Sequence, residues 1–277
     1  MSKWDVKGKT VLVTGGASGL GAEYVRVFLE SGAKSVAILD IAEEIGKATA
    51  ERLNKIHGGK AVFIKCDVSK EDDITKAFDS VLAAYKKIDV IVNNAGIMND
   101  SSNVWRTACD VNWQGLVSFT IKGVFHMRKD EGGAGGTIVN ISSTAALTPF
   151  QALPIYKGAK AAVLHFSQSL SMEPFFENTG VRILTMCFGP TDTPLLHNLE
   201  TRSYDRTLGK ILSAVTEDQS VIFQKVDSAV AAFMEMFETG EPATIWLSVD
   251  NKPVQDITQA INKAHKDIEN IAFPTKN

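Results

Sequence analysis

Short apolar runs alternate with amphipathic stretches along most of the chain. Runs rich in Val, Ile and Leu occupy residues 10–14, 35–39, 61–66, 88–92, 137–143 and 181–186. Continuous apolar runs of this length predict strands that are buried on both faces, and the segments between them predict helices. The alternation predicts an α/β fold, a doubly wound parallel sheet with helices on both faces. The 277 residues suffice for one large domain, to which we assign residues 1–277.

A glycine-rich turn separates the first predicted strand from a helical pattern. It reads Gly-Gly-Ala-Ser-Gly-Leu-Gly over residues 15–21. A strand, such a turn and a helix form the context of a dinucleotide-binding (Rossmann) fingerprint. The glycines let backbone N–H groups approach a pyrophosphate, and the helix N-terminus carries partial positive charge. The predicted cofactor contacts in this turn are Gly15, Ser18, Gly19, Leu20 and Gly21.

Asp40 ends the second predicted strand, 19 residues beyond Gly21. A carboxylate at about this distance accepts hydrogen bonds from the ribose hydroxyls of the adenosine half, and it would repel a 2′-phosphate. No Arg or Lys lies in the glycine turn or directly after Asp40. The sequence therefore predicts NAD rather than NADP as the cofactor.

The next two predicted strands also end in small or polar residues. Asp67 and Val68 follow one strand, and Asn93-Asn94-Ala95-Gly96 follows the other. Ligands of open α/β sheets bind outside the carboxyl ends of the strands. We predict that Asp67 meets the adenine amino group, and that Asn94 and Ala95 approach the adenosine ribose. An ordinary turn would also favour Asn and Gly here.

Tyr156 and Lys160 stand four residues apart in a predicted helix. Residues at this spacing lie on the same helix face. A free tyrosine has a pKa of about 10 and is a poor base at neutral pH. A nearby ammonium stabilises the phenolate, which would make the pair a candidate general acid and base.

Taken together, these motifs resemble the short-chain dehydrogenase/reductase family over about residues 7 to 250. They are Thr14-Gly15-x-x-x-Gly19-x-Gly21, Asn93-Asn94-Ala95-Gly96 and Tyr156-x-x-x-Lys160. Asn112 fits the same pattern, and Ser143 precedes Tyr156 by the 13 residues usual in the family. Within the family the chain is most similar to insect alcohol dehydrogenases and animal 15-hydroxyprostaglandin dehydrogenase-like enzymes.

The resemblance implies a role for each of four catalytic residues. Tyr156 is the catalytic acid and base, and it also contacts the cofactor. Lys160 lowers the pKa of Tyr156 and binds the nicotinamide ribose. Ser143 binds the substrate oxygen and stabilises its developing charge. Asn112 kinks its helix and helps to hold a water that links Lys160 to solvent.

The resemblance also places Gly189, Thr191 and Thr193 beside the nicotinamide carboxamide. One departure occurs in this segment, because Phe188 stands where the family commonly has proline. We therefore expect a locally different loop with the same hydrogen-bond donors.

Composition narrows the possible partners and location. The net charge of −3 gives no support for binding nucleic acid or an anionic membrane. No apolar run approaches the ~20 residues of a membrane span, and the N-terminus lacks a signal-peptide pattern. The three cysteines, Cys66, Cys109 and Cys187, favour reduced thiols and a cytoplasmic protein. No histidine has a metal-ligand spacing, so we predict no metal site.

Residues from about 193 to 224 form an irregular segment. By its position in the family, this segment covers the active site. The candidate pocket residues are Met98, Leu147, Gln151, Leu153, Leu195 and Leu196. Most of these are apolar, and none is an arginine that could clamp a carboxylate. We predict a hydrophobic small-molecule substrate that contacts Ser143, Gln151 and Tyr156.

Two long helices, near 103–129 and 154–178, carry apolar faces. In the family such helices pair with their copies in a neighbouring subunit, so we expect a homodimer. The alternative is that these faces serve only the monomer core. In the tail, about 250–277, an apolar stripe recurs at helical spacing and is expected to pack on the body, on a partner subunit or at the substrate mouth. The stripe comprises Ile257, Ile261, Ala264, Ile268 and Ile271.

The sequence thus predicts NAD-dependent oxidation of a hydrophobic secondary alcohol to a ketone or aldehyde, with Tyr156 as the base. Two alternatives stay open. The first is a carbonyl reductase acting on steroid, prostanoid or terpenoid ketones. The second is a non-catalytic NAD-binding scaffold or sensor, although the intact set of four catalytic residues speaks against it.

Overall fold

Eight strands form one sheet in the order β3-β2-β1-β4-β5-β6-β7-β8. The computed structural model describes residues 4–217 and 222–274. The strands are β1 (Thr10–Thr14), β2 (Ser35–Asp40), β3 (Ala61–Lys65), β4 (Val90–Asn93), β5 (Gly136–Ser143), β6 (Val181–Phe188), β7 (Ile245–Ser248) and β8 (Gln255–Asp256). Strands β1 to β7 are parallel, which confirms the predicted doubly wound α/β fold. The edge strand β8 is antiparallel to β7, and neither β7 nor β8 was predicted.

Helices follow the strands in the expected alternation. They are α1 (Gly19–Glu30), α2 (Glu43–His57), α3 (Glu71–Tyr85), α4 (Trp105–Cys109), α5 (Leu116–Met127), α6 (Pro154–Leu170), α7 (Phe175–Thr179), α8 (Arg206–Glu217), α9 (Val226–Thr239) and α10 (Thr258–Ala272). Short 3₁₀ turns lie at Lys129–Glu131, Thr144–Ala146, Pro194–Leu196 and Leu199–Arg202. The helix predicted over 103–129 is interrupted by a π-helical turn, Asp110–Gly115.

Alternate residues of the central strands face two separate apolar layers. Val11 and Val13 of β1 face the layer that contains α1 and α9, and Leu12 faces the layer that contains α3 and α5. In the first layer, Tyr24 stacks on Phe233 with ring centroids 4.0 Å apart. Burying an apolar side chain of this size contributes about 1.5–3 kcal/mol to folding. The two layers hold the sheet rigid from both sides.

The strand order reverses between β1 and β4. From β1 the chain builds outward to β2 and β3, and β4 then pairs on the other side of β1. At such a switch point the loops after the two strands diverge and leave a crevice at their carboxyl ends. The glycine turn after β1 and the segment Asn93–Gly96 after β4 therefore face the same crevice.

The helix predicted over 154–178 is too long. Helix α6 ends at Leu170, and the separate short helix α7 begins at Phe175. The Ser171 hydroxyl bonds the carbonyl oxygen of Ser167, and Pro174 has no N–H with which to continue a helix.

The apolar stripe of the C-terminal tail packs on the body only near the beginning of helix α10. Ile257 and Ile261 pack against the buried cluster of Leu164, Cys187 and Ile245. Further along the stripe, Ile268 is 63% exposed and Ile271 is 82% exposed. The stripe therefore covers the body over one turn, and its contact with a partner subunit stays a prediction.

Candidate active site

One cavity of about 960 Å³ lies at the carboxyl ends of the central strands. It is lined by every residue predicted to contact the cofactor and by Ser143. The lining cofactor candidates are Gly15, Ser18, Gly19, Leu20, Gly21, Asp40, Asp67, Val68, Asn94, Ala95, Tyr156, Lys160, Gly189, Thr191 and Thr193. The tertiary structure thus brings together residues that are spread over most of the chain.

In the glycine turn, the backbone of Gly21 lies close to the backbone of Gly15. Gly15 has φ of +63°, and a Cβ on Gly21 would lie 2.0 Å from the Gly15 carbonyl oxygen. The Asn94 side chain donates to the carbonyl oxygens of Thr14 and Gly15 at 3.0 and 3.2 Å. Ser18 is the N-cap of α1, but its side chain makes no capping hydrogen bond. The first N–H groups of α1 therefore face the cavity without a side-chain cap, which fits an anionic pyrophosphate.

Asp40 is held in place by two backbone N–H groups. Its Oδ2 accepts from Ala17 N at 3.0 Å and its Oδ1 from Ala42 N at 2.9 Å. Each oxygen keeps a lone pair that can accept a hydroxyl from the cavity side. The position after β2 and this fixed orientation fit a ribose diol.

Asp67 lies at the end of β3 on the same side of the cavity. Partial burial alone would raise the pKa of this carboxyl, but hydrogen bonds from Ser69 and Lys70 outweigh burial and hold the pKa below its ordinary value. The Ser69 hydroxyl donates to Asp67 Oδ1 at 2.6 Å. Asp67 is therefore an ionised acceptor at neutral pH.

The loop after β6 is fixed by a residue that sequence reasoning missed. The buried Gln224 donates to Thr191 Oγ1 at 2.8 Å and accepts from Ser248 Oγ at 3.0 Å. Its backbone N–H also bonds Pro190 O at 2.8 Å. Gln224 thus ties the loop that carries Gly189, Thr191 and Thr193 to β7. Nothing local in the sequence marks it, because its partners lie more than 20 residues away on either side.

Phe188 is the last residue of β6, and it pairs with both neighbouring strands. It pairs with Ser143 of β5 and with Ser248 of β7, and it is buried. The loop that begins at Gly189 still lines the cavity. Thr191 and Thr193 line the cavity despite the departure at Phe188, and their contact with the nicotinamide stays a prediction.

The catalytic candidates Ser143, Tyr156 and Lys160 meet at the centre of the cavity. The Lys160 ammonium nitrogen is 5.9 Å from the centroid of the Tyr156 ring and donates to Ile141 O at 2.9 Å. The Ser143 hydroxyl donates to Phe188 O at 3.2 Å and accepts from Ala145 N at 3.1 Å. The Ser143 side chain also acts on the Tyr156 phenol, whose pKa it lowers.

Burial dominates the titration of the Tyr156 and Lys160 pair. It raises the pKa of Tyr156 to about 12, although the Ser143 hydrogen bond acts in the opposite direction. Burial likewise lowers the pKa of Lys160 to about 8. The net shift of Tyr156 in the protein itself is thus opposite to the expected one. A lowered pKa requires further positive charge beside the phenol, so the activating role of Lys160 stays a prediction for the cofactor complex.

Asn112 lies within the π-helical turn and faces the segment after β4. Its Oδ1 accepts from Ile97 N at 2.9 Å, and its Nδ2 donates to Ile97 O at 2.7 Å. A Cβ on Gly96 would lie 3.1 Å from Asn112 Oδ1 and 3.8 Å from the Lys160 ammonium nitrogen. Asn112 and Lys160 therefore both approach Gly96, but Asn112 does not line the cavity. Its predicted distortion of the helix corresponds to this π turn, and its water-holding role stays a prediction.

Asp100 is a second residue that the sequence did not reveal. It is fully buried, and its carboxylate accepts from Ile155 N at 2.7 Å and from Tyr156 N at 2.9 Å. It therefore caps the first turn of α6 from a distant segment. Its own N–H donates to Arg202 O at 2.7 Å, which ties the substrate segment to the same point.

The substrate end of the cavity is largely apolar. Met98, Leu153, Leu195 and Leu196 line it as predicted, together with Leu199, Leu212 and Phe223. Within the predicted covering segment, 193–224, residues 218–221 lie outside the described part of the chain. The apolar lining fits a hydrophobic substrate.

Two predicted pocket residues do not reach the cavity. Gln151 is exposed, because the turn before α6 directs Ala152 and Leu153 inward instead. Leu147 packs near Ile261 in the cluster beneath α10. The prediction that Gln151 contacts substrate is therefore not supported, and Leu147 belongs to the support of the fold.

Neither a membrane-spanning helix nor a metal-binding cluster is found in residues 4–217 and 222–274. No helix there is long and apolar enough to cross a membrane. No group of three or more His, Cys, Asp or Glu side chains there could hold a metal ion.

Comparison with known proteins agrees with this geometry. The family model for short chain dehydrogenase matches residues 9–203. The chain is 35% identical to 15-hydroxyprostaglandin dehydrogenase [NAD(+)] of Bos taurus over 208 residues, 75% of this chain and 76% of the relative. It is also 35% identical to alcohol dehydrogenase 1 of Ceratitis cosyra over 213 residues, 75% of this chain and 81% of the relative.

Solved structures show the same fold. A short chain dehydrogenase/reductase from Burkholderia phymatum in complex with NAD superposes with a TM-score of 0.76 at 20% identity, covering 99% of each chain. The family resemblance found from the motifs is confirmed by the extent of these matches. The chain therefore belongs to the short-chain dehydrogenase family of oxidoreductases.

Proposed function

We propose that this protein is an NAD-dependent dehydrogenase that oxidises a hydrophobic secondary alcohol to the ketone. The observation that carries the proposal is the continuity of this cavity. The glycine turn and Asp40 line one end of it, Tyr156 and Ser143 lie at its centre, and an apolar cluster lines the other end. A dinucleotide and an apolar alcohol could thus occupy one continuous space.

NAD is the proposed cofactor. The Asp40 carboxylate lines the cavity where a ribose diol fits, and a 2′-phosphate there would meet a negative charge. The name of the Bos taurus relative specifies NAD(+), which supports the same choice. Residues Gly15 to Gly21 would bind the pyrophosphate, and Asp67 would bind the adenine.

Bound NAD⁺ would supply the hydride acceptor. Ser143 would donate a hydrogen bond to the substrate oxygen, and this bond strengthens as negative charge develops there. Tyr156 would take the hydroxyl proton of the alcohol. Lys160 would stabilise the phenolate from within the same cavity. Its charge is available for this role, because among the described residues it donates to Ile141 O and forms no ion pair with a carboxylate. The buried positions of Tyr156 and Lys160 exclude water and strengthen these interactions.

We also propose a cytoplasmic homodimer. Phe125 on α5 is a large apolar side chain that remains exposed, and α5 is one of the two helices expected to pair between subunits. The thiols of Cys66 and Cys187 are buried, which raises the pKa of each to about 12 and keeps them protonated. Unpaired thiols suit a reducing compartment.

The Tyr156→Phe variant tests the proposed reaction. NADH formation from NAD⁺ would be measured across short alkanols, terpenoid alcohols, hydroxysteroids and hydroxyprostaglandins, with NAD binding measured by titration. We expect turnover on at least one class, its loss by about a hundredfold or more in Tyr156→Phe, and unchanged NAD binding. The matched control is Tyr85→Phe, which removes a phenol on α3 outside the cavity lining.

The outcomes separate the proposal from its rivals. A fully active Tyr156→Phe variant would contradict the proton-transfer role. Turnover seen only with ketones and reduced cofactor would favour a reductase. Binding of NAD with no turnover in either direction would favour a scaffold or sensor.

A further inference from the structure

Two lysine side chains meet at the beginning of α2, the helix that follows Asp40. In the pairing of β2 with β3, Lys65 is the partner of Asp40. Paired residues of neighbouring parallel strands point to the same face of the sheet, on strands about 4.8 Å apart. Lys47 lies on α2 itself. Basic residues therefore do stand near the end of β2, although only the strand pairing reveals Lys65.

One carboxylate holds both lysine charges. Glu43 is the first residue of α2, and its Oε1 accepts from Lys47 Nζ at 2.7 Å. Its Oε2 lies 3.0 Å from Lys65 Nζ. Hydrogen bonds from Lys47 and Lys65 hold the pKa of the Glu43 carboxyl below its ordinary value, so this group is ionised at neutral pH. Glu43 thus draws two ammonium groups to one point.

Asp40 lies between this cluster and the cofactor cavity. It lines the cavity, and its Oδ1 accepts from Ala42 N directly before α2. Ala42 is the N-cap of α2 and offers no side-chain cap, so the helix N-terminus keeps its partial positive charge. The proposed ribose site at Asp40 therefore borders on the helix start and on the charges that Glu43 holds.

The cluster contains the groups of a phosphate site together with acids that neutralise them. Lysine ammonium groups and helix N-termini are common phosphate-binding groups in proteins. Here Asp40 and Glu43 each add a negative charge, and the charge of Glu44 also acts on Lys47. A 2′-phosphate would need the two lysines as partners, but Glu43 already pairs with both.

A second ion pair on α2 shows what a purely structural pair would look like. Glu51 and Lys55 lie four residues apart, and their charged atoms are 2.9 Å from each other. Such a pair supports the helix by itself. Glu43 differs because it also binds Lys65 from another strand, beside the residue that lines the ribose site.

We propose that Glu43 is a second determinant of the preference for NAD over NADP, because it neutralises the two lysines that would otherwise bind a 2′-phosphate. This inference rests on the proposed binding of the adenosine ribose at Asp40. Asp40 repels the phosphate directly, whereas Glu43 is a positioning residue that acts through Lys47 and Lys65. Removal of both acids should turn the start of α2 into an anion site.

Two nucleotides that differ only in the 2′-phosphate measure this effect. Calorimetric titration compares adenosine 5′-monophosphate with adenosine 2′,5′-bisphosphate in Asp40→Ser and in Asp40→Ser/Glu43→Gln. We expect Glu43→Gln to strengthen bisphosphate binding by about tenfold, the lower end of the range for a hydrogen bond to a charged group, and to leave monophosphate binding unchanged. Added KCl should reduce the gain, because Glu43 and both lysines are partly exposed.

Further variants in the same Asp40→Ser background assign the gain to the released lysines. Glu43→Asp keeps the charge and should leave bisphosphate binding close to the value of Asp40→Ser alone. Glu51→Gln is the matched control, because it releases only Lys55 near the other end of α2. Adding Lys47→Met and Lys65→Met to the Glu43→Gln variant should abolish the gain. An equal gain in Glu51→Gln, or a gain that survives the loss of both lysines, would overturn the proposal.

The monophosphate separates failure of this inference from failure of the proposed function. If the unmodified protein binds it and Asp40→Ser weakens that binding, the ribose site stands, and the absence of a gain in Glu43→Gln would overturn only the role of Glu43. If neither nucleotide binds the protein or its variants, the ribose site at Asp40 is wrong and this inference is overturned with it. In turnover, the ratio of kcat/KM for NAD⁺ to that for NADP⁺ should be lower in the double variant than in Asp40→Ser.

Discussion

Replacing Asp100 should affect both the stability of the protein and its catalytic helix. In Asp100→Ala, the N–H groups of Ile155 and Tyr156 lose their acceptors at 2.7 and 2.9 Å. The Tyr156 N–H is buried and would find no water. A helix N-cap contributes about 0.5–2 kcal/mol, and a hydrogen bond to a charged group about 1.5–3 kcal/mol.

The burial of Asp100 reduces this gain. Burial raises the pKa of the Asp100 carboxyl, which means that the ionised form is partly penalised in the folded protein. We therefore expect Asp100→Ala to lower the free energy of unfolding by about 2–4 kcal/mol, and Asp100→Asn, which keeps one acceptor oxygen, by about half as much. Urea unfolding measures both values.

Activity should fall along with stability. A loosened first turn of α6 displaces Tyr156 relative to Ser143, and a shift of about 1 Å can cost a hundredfold in rate. We expect a loss in kcat of about tenfold to a hundredfold in Asp100→Ala, with NAD binding nearly unchanged because the glycine turn lies at the other end of the cavity.

Burial is the main cause of the raised pKa of Tyr156, and the Asp100 charge adds to it. In Asp100→Asn the pH profile of kcat/KM should therefore shift to lower pH.

The matched control is Asp256→Ala. Asp256 accepts from Thr258 N at 2.8 Å at the start of the exposed helix α10, far from the cavity lining. Its loss should cost about 1 kcal/mol and leave kcat unchanged. An Asp100→Ala protein that is as stable and as active as Asp256→Ala would refute the reasoning about the buried cap.

Three further predictions follow from the cavity. Asp40→Ala should reduce the kcat/KM preference for NAD over NADP by about tenfold or more, and an unchanged preference would mean that Asp40 does not contact the ribose. Gly21→Ala should weaken NAD binding in a titration and destabilise the fold by about 1–3 kcal/mol, because its Cβ would clash with Gly15 O, whereas Gly158→Ala has open space and should be neutral or stabilising. Burial lowers the pKa of Lys160 to about 8, so the buried ammonium destabilises the folded state at low pH. Between about pH 8 and the ordinary lysine pKa of about 10.4, the folded protein loses this proton while the unfolded chain keeps it, and the free energy of unfolding should therefore rise with pH. Lys160→Met should lack that rise when urea unfolding is followed across this range, and a pH dependence equal to that of the wild type would contradict the burial argument.

The sequence by itself determined the first six strands and showed that the residues of the site follow their carboxyl ends. Apolar runs such as Thr10–Thr14 have one stable environment, the centre of a parallel sheet, so the α/β fold was predictable from local pattern alone. The glycine turn, Asp40 and Tyr156 were predictable because each stands at a fixed spacing from a strand or from another motif residue. All the predicted cofactor residues line the cavity for this reason.

Only the tertiary structure decided which residues support those positions. Asp100 caps α6 across 56 residues, and Gln224 holds Thr191 across 33 residues. Such pairs depend on how the loops pack after the sheet has formed, and no local periodicity encodes them. The outward direction of Gln151 was likewise decided by a single turn, since neighbouring turn residues face opposite ways. Sequence spacing thus fixes the residues within a strand–turn–helix unit, whereas contacts between units become visible only when the units are packed.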